Sequence, residues 1–198
     1  MHIGVFGGTF DPPHIGHLII AQEALDQAGL GCVVFMPAPA PPHKRDAQVS
    51  PFGIRVAMVR AAVADNPRFR VSDLEARLPV PSFTVDTLRE LRREEPEWEP
   101  VDLIIGSDSL LELPTWKTPH ELVKMARLIV YPREGAPVAA APPEMLGRSL
   151  ILDVPPLPVS STAMRRRVRE GRALRYWLPD DVRELVAAHG LYLTSHEG

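Results

Sequence analysis

His14 and His17 stand three residues apart, directly behind the run Gly7-Gly8-Thr9-Phe10-Asp11-Pro12-Pro13, and no other stretch is as dense in groups able to do chemistry. At the start of a helix, imidazoles at that spacing share a face and can both donate to the oxygens of one phosphate. Gly7 and Gly8 lack a Cβ and can adopt positive φ, so backbone N–H groups there can approach a polyanion closely. A rival reading is a metal site, with Asp11 joining the two histidines around zinc. That reading lacks a local fourth ligand and any cysteine cluster.

These residues need a scaffold, and the flanking pattern supplies one. Ile3, Val5 and Phe6 make a short apolar run of the kind buried on both faces of a parallel sheet, and the glycine pair is expected to break it. A helix is predicted from near Gly16 through Leu25, so the histidines fall at a helix N-terminus, where the dipole and unpaired N–H groups favour anions. Cys32 to Met36 completes a first strand–helix–strand unit, with the lone Cys32 as a core residue.

The run from Gly7 to His17 resembles the T/HxGH signature of the nucleotidyltransferase superfamily, and most closely that of bacterial nicotinate-nucleotide adenylyltransferases. Strands and helices alternate throughout the sequence, which predicts a three-layer, Rossmann-like α/β fold with a mostly parallel sheet of five or six strands, the fold the resemblance also implies. The resemblance further implies that His14 and His17 contact ATP phosphates alongside Gly7, Gly8, Thr9 and Phe10, with no covalent nucleotidyl intermediate. Lys44, at the end of the Pro41-Pro42-His43-Lys44 segment, is implied to reach substrate and to act with the histidines.

Further along, Ser50-Pro51 reads as a helix cap with Pro in the first turn, and the helix is expected to reach Asp65 with Ile54, Met58, Ala61 and Ala62 on one face. Phe69 to Ser72 alternates as a strand, and Leu74 to Leu78 is expected to stay extended. Ser82 or Thr84 could cap the next helix; the resemblance places Thr84 on the nicotinate-nucleotide side. Val101 to Gly106 is another buried strand, and Asp108 just past its end matches the family's ribose-binding position. Trp116 is implied to stack on the pyridine ring, with Lys117 and Arg133 completing the acceptor side. Here the chain has Arg133-Glu134-Gly135 where family members usually have Arg-Pro-Gly. Ala136 to Gly147 reads as a flexible loop and Leu150 to Leu152 as a last short strand.

Val159-Ser160-Ser161-Thr162-Ala163-Met164-Arg165 is a second motif, similar to the family's ISSTxxR element. Alone it is a helix cap followed by a basic turn. Paired with the N-terminal motif it implies a triphosphate clamp of Ser160, Ser161, Thr162 and Arg165.

Length and composition bound the rest. A chain of 198 residues, 45% hydrophobic, fits one domain over 1–198, with 160–198 a helical C-terminal part packed on it. A net charge of -3 gives no footprint for nucleic acid. No run approaches the ~20 apolar residues of a membrane span, and no signal peptide is seen, so a cytoplasmic enzyme is expected. The resemblance implies that it transfers the adenylyl group of ATP to nicotinate mononucleotide, with Mg²⁺ carried by the ATP phosphates, no protein-held metal, and a homo-oligomer possible. The rivals are a sister transferase acting on nicotinamide mononucleotide, phosphopantetheine or a cytidylyl acceptor, and a module that senses adenine nucleotides without turnover.

Overall fold

The computed structural model of the chain describes residues 1–39 and 49–193. Six strands, β1 (Ile3–Gly8), β2 (Cys32–Pro37), β3 (Phe69–Val71), β4 (Val101–Gly106), β5 (Arg127–Tyr131) and β6 (Ser149–Ile151), form one sheet in the order β3-β2-β1-β4-β5-β6. Every neighbouring pair is parallel. The strand order reverses between β1 and β4, and the carboxyl ends at such a switch point form the crevice where open α/β sheets take ligands.

Strict alternation along the strands builds two cores. Phe6, Val33, Phe35, Ile104 and Ile129 face one side, where they meet α1 (Ile15–Ala28), α2 (Phe52–Ala62), α7 (Ser161–Arg169) and α8 (Asp180–Ala188). Ile3, Val5, Val34, Leu103, Leu128 and Val130 face the other, with α3 (Thr84–Glu94), α4 (Ser107–Glu112) and α5 (Pro119–Met125). Each fully buried side chain of this kind is worth about 1.5–3 kcal/mol over exposure, so the sheet's two faces hold the three layers together. Cys32 is a buried free thiol in the second core. No helix among the described residues is long and apolar enough to cross a membrane.

Several sequence expectations need correcting. The glycine pair does not break β1, which runs through Gly8 in register with β2. Ser50 is not a cap: its N–H and carbonyl are taken by Asp11 and Arg55, and α2 starts at Phe52 behind Pro51 and ends at Ala62. Leu74 to Arg77 is a 3₁₀ turn rather than an extended stretch. Ser72 Oγ accepts the Leu74 N–H and the Asp73 carbonyl accepts that of Ala76, which lets Leu74 drop into the second core. No hydroxyl caps α3, whose N-cap is Phe83. Residues 136–147 are not featureless. They hold a 3₁₀ turn, Val138–Ala140, and a short helix, α6 (Pro143–Leu146), because Ala141 and Met145 are buried in the second core.

Candidate active site

The crevice begins where β1 turns into α1. Neither Gly7 nor Gly8 has positive φ; the left-handed residue is Phe10, at φ 49. Gly8 is needed for space instead. A Cβ on Gly8 would meet the Phe10 ring at 3.0 Å, whereas one on Gly7 would meet nothing within 4 Å. The Phe10 side chain is buried against Phe6 and Phe35, with centroids 5.7 Å from each. Only its backbone is left to serve a nucleotide, while its ring braces His17 at 5.0 Å.

Asp11 and the carbonyls around it are pinned from four directions. Its carboxylate accepts the Ser50 N–H at 3.2 Å and the Tyr192 hydroxyl at 2.6 Å. Its carbonyl accepts Arg165 Nη1 at 2.7 Å, and the Pro12 carbonyl accepts the Ser161 hydroxyl at 2.8 Å. Arg55, only 1% exposed, spends its guanidinium on the carbonyls of Thr9, Ala38, Pro39 and Ser50. Burial lowers the Arg55 pKa, and the neighbouring Asp11 charge opposes that loss.

His14 is the N-cap of α1, and its imidazole stacks on that of His17 with centroids 3.7 Å apart and 24° between planes. The His14 N–H donates to His17 Nδ1 at 3.0 Å. A neutral imidazole that accepts at Nδ1 carries its proton at Nε2, so His17 is set as an Nε2–H donor. Burial, reinforced by Arg133, pulls the His14 pKa down to about 4. Burial and the stacked His14 hold His17 well below the ordinary value as well. His14 Nδ1 is buried without a partner among the described residues. Both oxygens of the Asp11 carboxylate, the third ligand of the zinc reading, accept hydrogen bonds, and among the described residues no group of three His, Cys, Asp or Glu could hold a metal ion.

The second motif closes over the first. Val159 packs so tightly on α1 that a Cβ on Gly16 would lie 2.6 Å from its Cγ1. Ser160 caps α7 by accepting the Ala163 N–H at 3.1 Å. Arg165 Nη2 reaches Thr162 Oγ1 at 3.2 Å, so two of its five N–H donors steady it across the turn and the others remain for an anion. Arg167, by contrast, binds the Ala173 carbonyl and lies over the Trp177 ring.

At the ends of β4 and β5, Arg133 donates from Nη1 to Asp108 at 2.8 Å and from its N–H to the Ser107 hydroxyl at 2.9 Å. Gly106 has no room for a Cβ beside Asp108, Arg133 and Tyr131. Tyr131 is desolvated there, its hydroxyl pushed up to about 12. Thr84 is the first residue of α3, and Lys117, next to Trp116, is tied to the same end of that helix. Lys117 bonds Asp86 at 2.7 Å and sits 4.7 Å over the Phe83 ring, and half-buried Trp116 packs on the second core. Lys44 lies outside the described residues. Arg55 and Tyr192 were missed as participants. Arg55 left a signal, a charge sharing the α2 face of Met58, Val59 and Ala62; Tyr192 left none.

The fold and site are those of a nucleotide-handling α/β domain, and a family model for cytidylyltransferase-like proteins matches residues 5–167. The chain belongs to that family. It is 44% identical over 198 residues to a probable nicotinate-nucleotide adenylyltransferase of Symbiobacterium thermophilum, covering 96% of this chain and 95% of that one. It is 45% identical to a protein of the same name from Thermus thermophilus, over 97% of this chain and all of the other. Within the family it therefore groups with the nicotinate-nucleotide adenylyltransferases. Among solved structures, Plasmodium falciparum nicotinic acid mononucleotide adenylyltransferase complexed with APC shares the fold, with a TM-score of 0.78 over 96% of each chain at 16% identity. Its complex with NaAD gives 0.79 over 96% of this chain and 97% of that one.

Proposed function

We infer that the chain transfers the adenylyl group of ATP to nicotinate mononucleotide, releasing pyrophosphate and leaving nicotinate adenine dinucleotide. The observation that carries this is the stacked, desolvated His14–His17 pair at the switch point, in a chain aligned over nearly its full length with proteins of that name. A phosphate oxygen of the mononucleotide attacks the α-phosphorus of ATP. The bond from that phosphorus to the bridging oxygen breaks, and pyrophosphate leaves with the electron pair. The nucleophile is already an anion, so no general base is required. What the chain must supply is alignment and charge neutralisation.

The roles we propose are these. His14 and His17 donate to the transferring phosphate, while Gly7, Gly8, Thr9 and the Phe10 backbone line its path. Ser160, Ser161, Thr162 and Arg165 hold the outgoing phosphates, and Asp108 takes the ribose. Thr84, Trp116, Lys117 and Arg133 serve the acceptor, and Lys44 joins them. Mg²⁺ enters as part of the ATP substrate. We place the reaction in the cytoplasm, in a single-domain chain whose segment 160–198 packs on the rest, with no nucleic-acid or membrane partner and with self-association open to it.

Pyrophosphate release on mixing with ATP and each candidate mononucleotide is the deciding experiment. Turnover with nicotinate mononucleotide at about 10²-fold higher kcat/KM than with the amide is expected, because fixed donors suited to a carboxylate are left unpaired by the amide's NH₂. A ratio near one refutes the nicotinate assignment, turnover only with another acceptor points to a sister transferase, and no turnover points to a sensor.

A further inference from the structure

We propose that Tyr192 is a positioning residue for the triphosphate site, acting through Asp11 on the His14–His17 pair and Arg165. The hydroxyl of Tyr192 donates to Asp11 Oδ1 at 2.6 Å across 181 residues of sequence. Asp11 is 1% exposed and is the joint of the turn: its other oxygen takes the Ser50 N–H, its carbonyl takes Arg165, and His14 follows three residues later. A hydroxyl on this carboxylate therefore sets where the histidines and the guanidinium stand relative to each other.

The tail is built to deliver that hydroxyl. At the end of α8 the His189 N–H returns to the Leu185 carbonyl and the Leu191 N–H to that of Val186, with Gly190 left-handed at φ 55. Val182 and Val186 anchor the helix in the same core that the Tyr192 ring packs against. Tyr192 itself is held at φ 66, a conformation that a bulky side chain adopts only when its surroundings impose it. A tyrosine serving the core alone needs neither the left-handed backbone nor a buried carboxylate for its hydroxyl. Burial and the bond to Asp11 push its pKa up, so it remains a donor throughout the working range.

In taking ATP as the ligand, this assignment rests on the adenylyl-transfer reading. The test is Tyr192→Phe, which removes one oxygen, with ATP and nicotinate mononucleotide binding measured separately by calorimetry on the full chain well below its Tm. The expected result is a Kd for ATP at least fivefold weaker and a Kd for the mononucleotide within twofold of wild type. Adding Asp11→Asn should then cost less than Asp11→Asn costs alone, because the hydroxyl acts through that carboxylate. A smaller change in ATP affinity, or equal weakening of both ligands, overturns the proposal, whatever happens to Tm. Pyrophosphate release by the wild-type chain reports on the adenylyl-transfer reading independently, since binding is measured without turnover.

Discussion

Acidification should destabilise the protein through His14, and the size of the effect can be worked from its burial. His14 is 6% exposed and its pKa falls from an ordinary 6.5 to about 4. Between those values the unfolded chain binds the proton and the folded chain does not, so stability is fully present above pH 6.5 and is lost as pH falls towards 4. At ~1.4 kcal/mol per pH unit, the loss comes to about 3 kcal/mol. In a chain of this length that corresponds to a Tm fall of roughly 6–12 °C. Carboxylates also titrate over part of this range, so the measurement is a comparison. Wild type and His14→Gln are melted from about pH 7 to about pH 4, and wild type should lose about 3 kcal/mol more than the variant. His17, stacked 3.7 Å away, shifts in the same direction and is eased when its neighbour can no longer charge, so its share adds to the difference. Parallel pH slopes for the two proteins would show that the histidines are solvated and not held neutral.

Gly7→Ala should leave Tm within about 2 °C, since the added Cβ meets nothing within 4 Å. It should raise KM for ATP about tenfold if backbone at that position lines the phosphate path, and an unchanged KM removes Gly7 from the site. Arg55→Met strands four carbonyls around a buried gap and should cost on the order of 3–5 kcal/mol, a fall of about 10 °C; a loss under ~2 °C by calorimetry contradicts it. Trp116→Ala should lower kcat/KM for nicotinate and nicotinamide mononucleotides alike, whereas Lys117→Ala, whose ammonium is exposed and already paired with Asp86, should change their ratio less than about threefold. Steady-state kinetics with both acceptors separates a stacking wall from a charge filter.

What the sequence revealed and what it hid follow from the range of the interactions involved. The β1–α1 unit was legible because an apolar run and a histidine spacing are local patterns, as was Ser160, whose hydroxyl caps α7 within three residues. The need for glycine at position 16 was not, because it comes from Val159, far along the chain. Gly8 does not use the positive φ that its residue type allows, and the constraint on it that the structure adds, the Phe10 ring beside its missing Cβ, has no local pattern to show it. The 3₁₀ turn at Leu74–Arg77 was misread because a short stretch with one buried leucine carries no periodicity to tell a turn from a strand. Phe10 was assigned to ATP because it lies inside the motif, yet its ring belongs to the aromatic core beneath.

The electrostatics of the crevice explain why it holds both histidines and arginines. Two imidazolium charges at the stacking distance would repel by about 4 kcal/mol at an effective dielectric near ~20, on top of the burial that already opposes each of them. On the reading proposed above, the pair would therefore meet the triphosphate as neutral N–H donors, with His17 fixed by the His14 backbone as an Nε2–H donor. Permanent charge has to come from groups that do not titrate; Arg165 and Arg133 carry it, each tethered by hydrogen bonds to another element of the fold. A neutral donor pair stacks without mutual repulsion, and a guanidinium keeps its charge in a desolvated cleft. Under the reaction proposed above, charge on the transferring phosphate would meet rigid donors in the histidine pair and a fixed cation at Arg165, an arrangement that would cost no reorganisation when charge shifts toward the leaving pyrophosphate.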